Sequence, residues 1–274
     1  MKKEKNTILG ISIYRILGYF IIYSVLGFVM ETMFALIVYG KLESRQGFLY
    51  GPVCPIYGVG AIALILALQK FKKNGYTLFF GGLLSGSIVE YVLSLLGELL
   101  LNVRWWDYSN RFLNINGRIC LLYSMYWGLI SIFLMKEINP RVDKFIDWIK
   151  TKVNIKVLKL TTIIIIILLI IDCILSGLVI EAFLSKTVIE KDIQVKDKIR
   201  YEKHYNTIYK DENIKNFMDN VWNEEKVIKV YPNLKLTLED NSNIMVQDYY
   251  QEVQPYYYKF SFNINRKKLI GKFQ

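Results

Sequence analysis

Arg104-Trp105-Trp106-Asp107-Tyr108-Ser109-Asn110-Arg111-Phe112-Leu113-Asn114-Ile115-Asn116-Gly117-Arg118 joins two apolar runs, residues 76–101 and 119–138. Each run is long enough to cross a bilayer, which needs about 20 helical residues. A polar and aromatic stretch between two such runs belongs at a membrane surface. Trp105, Trp106 and Tyr108 suit the headgroup level, where a ring is buried while its N–H or O–H stays wet. Asp107 is three and four residues from Arg104 and Arg111, so either guanidinium can neutralise it if the loop folds back. Two readings are open: an interfacial anchor between helices, or a structured cap over a site inside the helix bundle.

Composition agrees with lipid as the solvent. Of 274 residues, 53% are hydrophobic, and the mean hydropathy of +0.25 is high for a soluble globular chain. A net charge of +11 raises nucleic acid as a partner, but the Lys and Arg fall between apolar runs and in the C-terminal third. That distribution orients helices against anionic lipid and argues against a nucleic-acid partner. Cys54, Cys120 and Cys173 are odd in number, far apart and embedded in apolar sequence, so neither a disulfide framework nor a zinc site follows. The only histidine, His204, lacks a ligand companion. No metal, cofactor or catalytic residue is expected. Met1-Lys2-Lys3-Glu4-Lys5 is similar to the start of a signal peptide, but the apolar run after it is too long and lacks a cleavage pattern. The expectation is an uncleaved first span.

Moving outward from the loop, residues 76–101 place Gly82, Gly86, Glu90, Ser94 and Glu98 every four residues, and each step turns the face by only about 40°. The glycines permit close backbone approach to another helix. Glu98 lies near the helix end, whereas Glu90 lies near mid-depth. A carboxylate there is costly unless it faces protein, water or a partner, which makes Glu90 a site candidate, with helix locking as the alternative. On the other side, residues 119–138 put Ser124, Gly128 and Ser131 on one face, with Tyr123, Tyr126 and Trp127 around it. Residues 139–159 then place Val142, Phe145, Ile146, Ile149 and Val153 at helical spacing among Arg141, Lys144, Lys150 and Lys152, an amphipathic helix suited to an anionic leaflet. Residues 160–183 form the last span. Asp172 and Ser176, one turn apart, are its mid-depth polar pair, and the hydroxyl can satisfy the carboxylate locally.

Toward the N-terminus, residues 16–39 form the first span. Ser24, Gly27, Glu31 and Ala35 make a small or polar stripe along it, with Glu31 deep in the run. Residues 40–55 hold Gly51, Pro52 and Pro55. One account starts the second span at Pro52, so that both prolines fall in the first turn where no backbone bond is lost. The other has the segment dip into the membrane and shortens the second helix, which irregular backbone tolerates only against protein or a water-filled cavity. The first account is preferred. The predicted fold class is thus an all-α integral membrane protein: a polytopic bundle of about five spans (16–39, 52–69, 76–101, 119–138, 160–183), the amphipathic interfacial helix, a basic N-terminal segment 1–15 and a small soluble tail, 184–274. The tail carries 16 Lys and Arg against 13 Asp and Glu. Helix is predicted around 187–228, broken near Asn206 and stopped by Tyr231-Pro232-Asn233. Alternation of Tyr256, Tyr258, Phe260, Phe262 and Ile264 hints at a strand. With the N-terminus inside, the inner segments carry 14 Lys and Arg and the outer loops 5, so the N-terminus is expected in the cytoplasm and the tail outside the cell membrane.

The order of these motifs resembles one bacterial membrane family, described as Putative ABC-transporter type IV or ABC transporter permease. The resemblance rests on Gly27 with Glu31, on Gly47-Phe48-Leu49 with Gly51-Pro52 and Cys54-Pro55-Ile56-Tyr57-Gly58, on Glu90-Tyr91, and on Arg104-Trp105-Trp106-Asp107-Tyr108-Ser109 with Asn116-Gly117-Arg118. It covers roughly residues 15–180. Gln46 and Phe28 depart from the arginine and tryptophan usual at those positions. The resemblance implies a permease subunit. The chain has no G-x-x-x-x-G-K-[ST] sequence, so a separate ATP-binding subunit must supply hydrolysis, with residues 139–156 as the coupling segment. In this reading Glu31, Glu90 and Asp107 line a pocket. Glu98, Arg104, Trp105, Trp106, Arg118 and Asp172 are further candidates, and Gly51, Pro52, Pro55 and Gly58 form a backbone gate. Two other readings stay open: a membrane-embedded enzyme on lipid or envelope precursors using the same carboxylates, and a scaffold or sensor whose tail binds a partner. A homo- or hetero-oligomer fits any of them.

Overall fold

The computed structural model describes residues 6–101, 104–240 and 242–260; Phe262 and Ile264 of the expected strand lie outside them. The fold is all-α, with short two-stranded ladders. Among the described residues four helices are long and apolar enough to cross a membrane: Ile13–Tyr39, Gly75–Leu100, Leu121–Lys152 and Ile155–Glu190. Their outer surfaces are bare hydrocarbon, with Val29, Met33, Ile37, Leu84, Ile88, Ile167 and Leu168 all exposed. A water-facing patch of that extent has no stable solvation outside lipid. The chain divides into two compact units, Met1–Gly27 with Val53–Leu96 and Trp106–Ile171, and Phe28–Pro52 with Gly97–Trp105 and Asp172–Gln274.

In the first unit a tight hairpin, β1 (Thr7–Ile8) and β2 (Ile11–Ser12), leads into α1 (Ile13–Tyr39). The next helix, α2 (Pro55–Leu68), starts three residues later than the preferred reading placed it. Only Pro55 occupies the first turn, and Pro52 stays outside the helix. The Cys54 N–H donates to the Ser24 carbonyl at 2.8 Å, and Gly58 lies so close to Ser24 and Phe20 that a Cβ there would collide with them. At the far end the Gln69 side chain donates to the Leu9 carbonyl. Helix α2 therefore runs back along the first half of α1, starting beside a residue about 16 Å into that helix, at about 1.5 Å per residue. Its 14 residues span only about 21 Å, short of a hydrocarbon core of about 30 Å. The expected second span at 52–69 is thus a short helix behind an irregular, inward-dipping segment.

Helix α3 (Gly75–Leu101) and α4 (Leu121–Phe133) lie antiparallel. A Cβ at Gly86 would strike the Trp127 side chain, one at Gly82 would strike Ser131, and one at Gly128 would strike Phe79. Ser87 Oγ donates to Ser124 Oγ at 2.7 Å. The small-residue face is therefore the α3–α4 contact. Gly86→Leu is expected to destabilise the protein by at least about 1–3 kcal/mol, the usual cost of overpacking; a thermal melt in detergent equal to wild type would contradict this packing.

Helix α4 does not stop at the fourth span. A π-helical turn, Leu134–Ile138, carries it into α5 (Asn139–Lys152). The apolar stripe of α5 is divided: Val142 and Ile146 are buried with Tyr19 and Tyr23 of α1, whereas Phe145 and Trp148 stack on each other and stay exposed. Polar contacts fix the pair. Arg15 engages Asp143 and Asp147, Tyr19 donates to Asp143, and Tyr23 donates to Asn139. Only half of the expected interfacial face is therefore left for lipid. The last long helix, α6, spans Ile155–Glu190.

The second unit is built around the distal part of α6. Exposed apolar residues recur along this helix from Val157 to Leu178, a rise of about 33 Å at 1.5 Å per residue, which matches a bilayer core. From Val179 onward the same helix is buried in a core with Phe183, Leu184, Val188, Tyr201, Val227 and Leu236. The expected span to residue 183 thus ends about five residues early, and the tail is a folded domain. Its helices are α7 (Lys198–Tyr209), α8 (Glu212–Val221) and α9 (Glu224–Val230). The breaks fall at Asp211 and Asn223, whose side chains cap the following helices, rather than at Asn206, and α9 ends just before Tyr231-Pro232-Asn233. Strand β3 (Lys41–Glu43) pairs with β6 (Tyr256–Lys259), and β4 (Lys235–Thr237) pairs with β5 (Asn243–Met245).

Candidate functional site

Glu90 is the polar centre of the first unit. Its position on α3, one turn beyond Gly86, brings it level with α4, and it is 7% exposed. One carboxylate oxygen accepts from Tyr108 Oη at 3.0 Å and the other from Trp127 Nε1 at 3.0 Å. Tyr108 comes from the tryptophan loop, Trp127 from α4. The stacking of Tyr108 on Tyr123, with centroids 4.4 Å apart, fixes the phenol's direction. Burial, with the Glu90 carboxylate next, holds the Tyr108 hydroxyl well above the usual phenol range, so it remains a donor.

The loop itself is ordered by its own polar groups. Asp107 accepts from the Ser109 N–H and hydroxyl, Tyr108 N–H donates to the Gly117 carbonyl at 2.7 Å, and Asn114 bridges to Ser109 and Arg111 carbonyls. Gly117 sits at φ +67°, and a Cβ there would strike Ser109 and Asp107, which explains glycine at that position. Trp106 Nε1 donates to the Arg118 carbonyl at 2.9 Å. Arg118 is buried, its guanidinium 5.7 Å from the Tyr91 ring, while Asn116 donates to the Tyr91 hydroxyl at 2.8 Å. Glu90-Tyr91 is thus the pair on which the loop closes. The loop's contact with the buried acid is made by Tyr108, with Asp107 shaping the turn.

The second unit carries a different polar cluster. Asp172 is buried on α6, and its carboxylate accepts the backbone N–H groups of Tyr50 at 3.2 Å and Gly51 at 2.8 Å. Ser176 Oγ accepts the Leu49 N–H at 2.7 Å and donates to the Asp172 carbonyl at 2.6 Å. The hydroxyl therefore serves main-chain groups more than the carboxylate, which lies 3.4 Å away. These three amides explain why helix does not begin at Pro52: residues 49–51 spend their donors on α6. Trp222 Nε1 donates to the Tyr50 hydroxyl at 3.0 Å.

The remaining candidates sit as follows. Glu98 pairs with Arg104 at 2.6 Å, and the Trp105 ring covers Gly97. Glu31 is half-buried in the second unit, on the same face as buried Ser24, Gly27 and Ala35. Glu90 and Asp107 belong to the first unit. Gly58 is the close-approach residue of α2 described above. Sequence reasoning missed Tyr108 and Trp127 as partners of Glu90. It also missed Glu181, buried on α6 and accepting from Nε and Nη2 of Arg200 at 2.8 and 2.9 Å, with His204 3.6 Å from it. The available signal was a single carboxylate among the apolar residues 177–184.

No curated protein and no solved structure matches the chain. The sequence profile of the family described as Putative ABC-transporter type IV matches residues 18–177. That match covers more than half of the chain and both halves of the loop-closing contact, and the chain belongs to this transporter-related membrane family.

Proposed function

We propose that the chain is the membrane-embedded permease subunit of an ABC-type transport system, with ATP hydrolysis supplied by a separate nucleotide-binding subunit. The observation that carries the reading is the bond from the surface loop to a buried acid: Tyr108 and Trp127 converge on Glu90. A cap tied to an intramembrane carboxylate links one face of the bundle to the state of a group within it. The chain supplies the passage, with Glu90 as its polar contact, and no chemistry on the nucleotide. Because α2 returns to the Leu9 end of α1, α3 starts on that same side. The excess of basic residues in alternate loops supports a cytoplasmic N-terminus and α5, with the tail outside. Helix α5, with Arg141 and Lys144 exposed, is the coupling surface. A tagged copy solubilised from its membrane is expected to carry an ATPase subunit, and Arg141→Glu with Lys144→Glu should reduce its recovery about tenfold while Glu90→Gln retains it. Repeated recovery without an ATPase would move the assignment to a scaffold or sensor, a reading favoured by the folded core of the second unit.

A further inference from the structure

A groove lies between the start of α1, the end of α5 and the start of α6, enclosing a cavity of about 200 Å³. Among the described residues that line it there are three cations, Arg15, Lys150 and Lys159, and no carboxylate. The cations occupy one end. Lys159 Nζ stands 4.5 Å from the Tyr14 ring centroid, Arg15 is held in place by Asp143 and Asp147, and Lys150 pairs with Asp147 at 3.3 Å. The other end is isoleucine, with Ile22 seven residues beyond Arg15 and Ile165 six beyond Lys159, about 10 Å further along each helix. Helix ends place the charged rim at a membrane surface, the level also marked by the exposed Phe145 and Trp148.

We infer that this groove binds an anionic phospholipid of the surrounding bilayer, its phosphate at Arg15, Lys150 and Lys159 and the first methylenes of an acyl chain along Ile22 and Ile165. A soluble phosphate ester leaves the isoleucine floor uncovered, and a zwitterionic lipid brings its own cation to a rim whose three cations already outnumber the two carboxylates beside them, Asp143 and Asp147. The volume admits a phosphate and a short length of chain, so the rest of the lipid lies along the outer surface of α6.

The test is native mass spectrometry of the full chain in detergent, with phosphatidylglycerol or phosphatidylcholine of identical acyl chains added. Wild type is expected to retain phosphatidylglycerol in preference. Lys150→Gln with Lys159→Gln should weaken that retention about thirtyfold, the order expected when two cations leave an anionic headgroup. Lys72→Gln with Lys73→Gln removes the same charge from another exposed segment and should leave it unchanged. Thr162→Trp fills the floor with all three cations intact and should also expel the lipid. Equal retention of the two lipids, equal loss in both double variants, or displacement by glycerol 3-phosphate would each overturn the site. Should Thr162→Trp fail to fold, the two lysine variants still decide the matter.

Discussion

Glu90→Ala is expected to destabilise the protein more than any other single change in the first unit. Its carboxylate is the acceptor for two donors, Tyr108 Oη and Trp127 Nε1. Deleting it orphans both in a water-poor setting, at about 1–3 kcal/mol for each unsatisfied group. Tyr108→Phe removes one donor and leaves the acceptor its other partner, so it should cost only about 0.6–1.7 kcal/mol, the range measured for such bonds within membranes. Glu90→Gln should fall between, since its amide oxygen satisfies one donor and its NH₂ faces the other. Chemical unfolding in detergent ranks the three variants. Proteolysis within residues 109–116 reports whether the loop has come loose, as expected for Glu90→Ala. If Glu90→Ala melts no lower than Tyr108→Phe, the loop is not held by this acid.

Asp172→Ala should be the corresponding change in the second unit. Two backbone amides, from Tyr50 and Gly51, end on that carboxylate, and a third, from Leu49, ends on Ser176 one turn away. Main-chain donors cannot be deleted together with their acceptor, so the loss is about 2–6 kcal/mol for the two orphaned amides. Asp172→Asn keeps one acceptor oxygen and should lose about half as much. Ser176→Ala strips a single amide. Hydrogen exchange resolves the cause: amides 49–51 should exchange faster in Asp172→Ala while those of α9 stay protected. Unchanged exchange at residues 49–51 would show that the aspartate does not anchor this segment.

The long apolar helices were legible because lipid imposes a length and a composition that no other environment demands. So was the inward direction of Glu90 and Asp172, because burying a carboxylate without partners is too costly to occur by chance. The partners themselves were not legible. Asp107 looked like the loop's natural contact with the interior, being charged, yet an Asx turn with Ser109 uses it locally, while Tyr108 reaches further with a neutral donor. The start of α2 was misread for a similar reason. Proline rules allow Pro52 in a first turn, but three amides just before it are claimed by α6, and such long-range competition leaves no trace in local propensity. The boundary of the last span was hidden as well. Val179 to Leu184 hold a single charged residue, Glu181, just as residues 169–178 hold Asp172 alone, and composition there cannot tell a lipid neighbour from a protein one.

Helix α6 has a consequence for how the molecule is made. Its early turns belong to hydrocarbon, and the turns from Val179 to Val188 form the nucleus of the C-terminal fold. A nascent chain must therefore release this segment from the insertion channel before residues 195–250 have anything to condense upon. Shortening α6 by one turn would leave insertion intact yet strand that domain's nucleus among lipids, so biogenesis rather than transport should fail first.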